Sequence, residues 1–148
     1  AVEHPDKVAT LTTIGTGGVC DPTGVEEYEP DWLMQNGRQD FIDQMMERHE
    51  EAHRGNWYEF LRQSAIDWRL YPQLSDEQLS GIRCPALFIT GEHDPFAGEE
   101  RVKRLSSLVR GSRYLVVPGG SHRPHMLRES PVYVNDSILE FLAANPIH

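Results

Sequence analysis

Positive charge is scarce in this chain. Its 148 residues hold 14 Lys and Arg against 23 Asp and Glu, a formal net charge of −9. Phosphate backbones are bound by clustered basic side chains, so this balance argues against nucleic acid as a partner. Cysteine is scarcer still: Cys20 and Cys84 show neither a metal-ligand spacing nor a disulfide framework. That usage suits a reducing compartment, and the expected localisation is cytoplasmic. No apolar run approaches the length that spans a bilayer, and the opening AVEHPDKV carries no signal-peptide pattern. No membrane partner is therefore expected. Neither H-E-x-x-H nor a comparable ligand pattern occurs, so the expectation is no metal and no cofactor.

What is present is enough for one domain with a real core and too little for two comfortable ones. The acids are unevenly placed. Residues 19–80 contain fourteen Asp and Glu but only five Arg, and eight of the thirteen aromatics; the remainder is electrically balanced. A compositional break of this kind suggests an acidic lobe, residues 19–80, inserted between two parts of a neutral scaffold, residues 1–18 and 81–148.

Hydrophobic periodicity supports that division. VATLTTI, residues 8–14, is β-branched and apolar and is stopped by glycines, which predicts a strand. Within the lobe the period is helical. Phe41, Ile42, Met45, Met46 and His49 share one face of a helix that Gly55 ends. Asn56 then caps a helix whose inner face is Trp57, Phe60, Leu61, Ala65 and Trp68, and Pro72 ends it. Ser75 and Gln78 have capping-box spacing. After Pro85 strand and helix alternate: residues 86–90, a helix over 99–109 with Val102, Leu105 and Leu108 inward, the strand RYLVV, then a helix begun by Pro131. The final helix carries Val134, Ile138, Leu139, Phe141 and Leu142. The expected architecture is α/β: a three-stranded parallel sheet with helices on its faces and an inserted all-helical lobe.

Two residues stand out chemically. Asp94, in GEHDPFAG, and His122, in PGGSHRPH, each follow an apolar strand, 28 residues apart. That interval is about one strand–helix–strand crossover, so the two strands should be parallel neighbours. Both side chains then emerge at the carboxyl edge of the sheet, where open α/β sheets place their ligands. A carboxylate beside an imidazole fixes its tautomer and stabilises the imidazolium formed in general-base catalysis. Plainer roles exist for both: a turn former or helix cap for Asp94, a surface histidine for His122. His125 and Glu129 read as local hydrogen-bonding or helix-start residues.

The stretches EHPDKVATLTTIGT, IRCPALFITGEHDPF and SRYLVVPGGSHRPHMLRESPVYVNDSILEFL, in that order, resemble the C-terminal half of an α/β-hydrolase. They cover most of residues 3–142 outside the lobe. The resemblance implies that VATLTTIGT is the sixth strand, the lobe is the cap or lid inserted after it, and PALFIT and RYLVV are the seventh and eighth strands. It implies catalytic roles for Asp94 as the triad acid and His122 as the triad histidine. Trp57, Phe60, Trp68 and Phe96 are then candidates for substrate binding, and the expected substrate is a small apolar carbonyl-containing molecule.

In that family the nucleophile sits on a G-x-S-x-G turn after the fifth strand. No G-x-S-x-G occurs here, and the expected position of the turn precedes Ala1. Among internal substitutes, Ser121 adjoins His122, which makes good serine–imidazole geometry difficult, and Cys84 stands at the opposite end of its strand. Cys20 follows the first strand on the correct edge, though a lone cysteine is more often a small buried hydrophobe. Two expectations follow. The chain is part of an ester or C–C bond hydrolase, inactive alone, or it is a stand-alone binding or interaction protein derived from that fold. Either way it should associate, as a homodimer or with a complementing N-terminal half.

Overall fold

The computed structural model describes residues 1–16, 18, 23–50 and 52–146. Its β-branched and apolar runs form one parallel sheet of three strands, β1 (Leu11–Ile14), β2 (Ala86–Gly91) and β3 (Arg113–Val117), in the order β1-β2-β3. Leu11 lies opposite Ala86 and Ile14 opposite Ile89; on the other side Leu87 meets Arg113 and Gly91 meets Val117. The first strand is shorter than residues 8–14. Leu11 donates its amide to the Pro85 carbonyl, 2.9 Å away, and Pro85 has no N–H with which to carry the ladder further back.

Every residue of β2 is buried, as a continuous apolar run in a parallel sheet requires. Its side chains alternate between two cores. Ala86 and Phe88 face Val102, Leu105 and Val109 around α5 (Glu99–Leu108). Leu87 and Ile89 face Val134 and Phe141 of α6 (Pro131–Ala144). Burying a side chain such as Phe88 contributes about 2–3 kcal/mol. Leu139 and Leu142 lie on the outward side of α6, 63% and 43% exposed.

The chain divides into two compact units, Ala1–Val19 with Leu74–His148, and Cys20–Gln73. The lobe thus ends seven residues before the expected residue 80. The short helix α4 (Asp76–Ser80) belongs to the sheet unit because Leu79, 1% exposed, packs with Ile82, Val102 and Leu105. Its start is set by the capping box, with Gln78 N donating to Ser75 Oγ at 3.2 Å and Ser75 N to Gln78 Oε1 at 2.8 Å.

The second unit consists, among its described residues, of helices and turns. They are α1 (Pro30–Gln35), α2 (Gln39–Arg48) and α3 (Trp57–Leu70), with 3₁₀ turns at Val25–Tyr28 and Ala52–Gly55. Asn56 caps α3 through its side-chain oxygen, which accepts from Glu59 N at 3.2 Å. Leu33, Ile42, Met45 and Leu61 form the core of this unit. Two residues expected inward lie open instead: Met46 is 47% and Trp68 38% exposed. Trp68 lies toward the C-terminal end of α3, about one turn beyond the buried Ala65, and the edge of Tyr28 covers it only in part, at 5.9 Å.

Candidate active site

At the end of β2 the chain turns sharply, and the turn delivers Asp94. Asp94 N donates to Gly91 O at 3.1 Å, and the side chain folds back over the turn. Oδ1 accepts from the amides of Phe96, 2.8 Å, and Ala97, 3.0 Å. Beneath it the Thr90 hydroxyl lies 2.5 Å from Ala97 O and 3.1 Å from Asp94 Oδ2. The carboxylate side chain is fully buried.

The loop after β3 brings His122 to the same place. Its Nδ1 is 3.1 Å from both carboxylate oxygens of Asp94. Burial pushes the Asp94 carboxyl up, but hydrogen bonds from His122 and from the amides of Ala97 and Phe96 outweigh it and hold the group at about 2. At neutral pH the carboxylate therefore only accepts, which selects, for the neutral imidazole, the tautomer with its proton on Nδ1 and its lone pair on Nε2. The His122 side chain is 38% exposed. Its ring meets the edge of Phe96, itself 43% exposed, at a centroid distance of 5.0 Å.

Two glycines make this approach possible. Gly15, at φ +68° just past β1, lies so close to His122 that a Cβ there would sit 2.6 Å from its carbonyl oxygen and 2.9 Å from its ring. At Gly91 a Cβ would collide with the carbonyl oxygens of Gly120 and Ser121. The loop after β3 thus crosses directly over the end of β2.

The sheet unit brings together Asp94, His122 and Phe96. Trp57, Phe60 and Trp68 belong to the helical unit. There Trp57 and Phe60 pack, partly buried, against Leu33, Ile42, Met45 and Leu61. Phe60 also borders a wide groove of about 590 Å³, lined otherwise by Arg54, Asn56, Glu59, Gln63, Ser64 and Asp67. Among the described residues no serine or cysteine hydrogen-bonds His122 Nε2, and no three His, Cys, Asp or Glu side chains are grouped to hold a metal. Ser121 donates its hydroxyl to Glu129 rather than to an imidazole. Cys84 packs, half-buried, on the α5 side of the sheet. Cys20 lies outside the described residues. No described helix is long and apolar enough to cross a membrane.

Sequence reasoning passed over Thr90 and Glu92 as parts of the site and weighed Ser121 only as a substitute nucleophile. For Thr90 a signal existed: it is the one hydroxyl in an otherwise apolar, fully buried strand. Glu92 and Ser121 stand in loops where their partners, at residues 119 and 129, are fixed only by tertiary structure.

No protein-family model matches the chain, and no curated protein does. Solved structures do. An esterase from Thermogutta terrifontis aligns over 96% of this chain and 58% of its own, with 22% identity and a TM-score of 0.65. An enol-lactonase from Burkholderia xenovorans covers 97% and 59%, with 18% identity and a TM-score of 0.68. A thermophilic esterase covers 99% and 61%, with 21% identity and a TM-score of 0.74. The fold is the C-terminal part of the α/β-hydrolase fold. The chain spans less than two thirds of the length of these hydrolase-fold structures. In that frame the sheet of three parallel strands and its flanking helices are the shared scaffold, and the Asp94–His122 pair stands at its carboxyl edge.

Proposed function

We propose that this chain supplies the acid and base of an α/β-hydrolase acting on an ester or C–C bond of a small apolar carbonyl compound. One observation carries the reading: a buried carboxylate, held ionised, faces Nδ1 of a half-exposed histidine and leaves Nε2 free to take a proton. His122 Nε2 would remove the proton from a serine hydroxyl as that oxygen bonds to the substrate carbonyl carbon. The imidazolium, steadied by Asp94, would then protonate the leaving group as its bond to that carbon breaks. Water, activated by the same imidazole, would release the acyl group and restore the serine. The esterase and lactonase neighbours support this class of chemistry.

The serine is not among these 148 residues, which contain no G-x-S-x-G. The chain alone is therefore inactive, and its nucleophile comes from a further segment or a second polypeptide. Phe96 lies beside His122 and contacts the substrate; Trp57, Phe60 and Trp68 stand as the helical unit's candidates for substrate contact. The test is hydrolysis of a short p-nitrophenyl ester. The expected result is no turnover above buffer by the chain alone, and turnover abolished by His122→Ala once a nucleophile-bearing segment is supplied. Turnover by the chain alone that vanishes in His122→Ala would overturn the assignment and direct attention to Cys20. Turnover by the completed protein that survives His122→Ala would refute the role of the histidine.

The outer edge of β1 supports association as well. Among the described residues β1 is bonded to β2 on one side only and Thr13 Oγ1 is buried without a hydrogen-bond partner; the four residues of β1 are half-buried. Strand edges of this kind pair with other chains unless blocked. A homodimer or a complementing N-terminal half are the two forms this takes.

A further inference from the structure

The imidazole of His122 hangs from a loop, and loops position catalytic groups only as well as they are fastened. Two acidic residues fasten this one, both at the residues that lead into the histidine. Glu92 Oε2 accepts from Gly119 N at 2.8 Å, three residues before it. Glu129 holds the adjacent residue twice: Ser121 N donates to Oε2 at 2.9 Å, and the Ser121 hydroxyl donates to Oε1 through a short bond. A carboxylate that grips both the amide and the side chain of one residue removes the peptide rotation that would swing the next residue's side chain.

Glu129 is itself anchored. Its amide donates to Met126 O at 2.9 Å, and Met126 N to Arg123 O at 3.0 Å. Ser130 N closes the turn on Pro124 O at 3.1 Å, and Pro124 is fully buried. The turn therefore transmits the position of α6, which packs on the sheet through Val134 and Phe141, to the histidine loop. The hydrogen bonds from the Ser121 hydroxyl and amide lower the Glu129 pKa against a small opposing effect of burial, and His125 adds to the lowering. Glu129 stays a double acceptor at neutral pH.

We propose that Glu129 is a positioning residue for His122, its two-point grip on Ser121 holding Nδ1 against the Asp94 carboxylate. This rests on the reading of Asp94 and His122 as the acid and base of the site. A helix-start residue with a purely structural role would make the same bonds to stabilise the turn. The difference lies in whether the state of the imidazole depends on them.

Proton–nitrogen correlation spectra of the isotope-labelled 148-residue chain, recorded where imidazole is neutral, report which ring nitrogen of His122 carries the proton. The signal is assigned by its loss in His122→Gln. The wild type is expected in the Nδ1–H form. Glu129→Ala should convert it to a mixture with Nε2–H. Glu129→Gln, which keeps an acceptor for Ser121 N, should restore most of the Nδ1–H signal, and Ser121→Ala, which removes only the hydroxyl, should shift it partway. Thermal melting of the same samples measures the structural contribution separately. An unchanged Nδ1–H signal in Glu129→Ala and Ser121→Ala, whatever happens to the melting temperature, would overturn the role of Glu129. If Glu129→Ala does not fold, Ser121→Ala decides in the same way. A wild type with no Nδ1–H preference would instead overturn the Asp94–His122 pairing, and with it the proposed function.

Discussion

Asp94→Asn is the substitution with the clearest expected outcome. The side chain keeps its size, and its remaining oxygen still accepts from Phe96 N and Ala97 N, now 2.8 and 3.0 Å away. What disappears is the charge and the second acceptor, which faces the Thr90 hydroxyl and His122 Nδ1. An amide NH₂ in that place opposes the N–H of the imidazole, donor to donor, unless the ring changes tautomer. The size of the loss follows from the carboxyl's pKa, which is about 2 in the folded chain against an ordinary 3.8. Burial works against this, and the bonds from His122, Ala97 and Phe96 more than compensate. That difference corresponds to about 2 kcal/mol of folding stability. Because the folded value is the lower one, the contribution is complete above the unfolded pKa and disappears as pH falls from about 4 to about 2. Urea unfolding of wild type and Asp94→Asn across that range is the assay. The two should differ by about 2 kcal/mol near neutral pH and converge in acid. Equal stabilities at neutral pH, or a gap that stays constant into acid, would refute the account of the pair.

Two further perturbations probe the surroundings. Gly91→Ala places a Cβ against the backbone carbonyls of Gly120 and Ser121, which cannot turn aside as a side chain could. It should cost about 3 kcal/mol in thermal or urea unfolding, and a loss under about 0.5 kcal/mol would show that the loop does not cross the end of β2. Light scattering at rising concentration tests association: a mass above the 16.9 kDa of one chain is expected, and a monodisperse monomer at high concentration would defeat the idea.

Much of the sheet was legible because its signals are local. The unbroken run Ala86-Leu87-Phe88-Ile89-Thr90 has room for only one interpretation in an α/β chain, a strand covered on both faces, and it is buried throughout. The 28-residue interval between Asp94 and His122 placed their strands side by side because right-handed crossovers of that length join parallel neighbours, and β2 and β3 pair as such. Where periodicity had to stand for packing, it misled. Trp68 has the spacing of an inward residue, yet the buried stripe of α3 is Leu61 and Ala65, and the indole lies toward the helix's C-terminal end. The lobe boundary slipped for a related reason: the charge count included Asp76 and Glu77, but Leu79 between them and β2 is pulled into the sheet's core. Composition describes a surface, and one buried leucine outweighs two solvated acids in deciding which unit a short helix joins.

The parts of the site that escaped sequence reasoning have a common cause. Asp94 and His122 announce themselves because strand ends in an open sheet are few and their chemistry is specific. Thr90, Glu92 and Ser121 are tied into the site through hydrogen bonds whose partners lie 4, 27 and 8 residues away in sequence. No periodicity encodes such pairings; they exist only once β2 and β3 are in register and the loop after β3 lies over Gly91. The register is therefore the step on which the chemistry depends. A slip of one residue between β2 and β3 would turn the alternating side chains of β3 to the opposite faces and carry the loop off Gly91. The fully buried β2, held by parallel partners on both sides, is what excludes that slip, so the hydrophobic pattern of one central strand sets the distance between a carboxylate and an imidazole at the edge of the sheet.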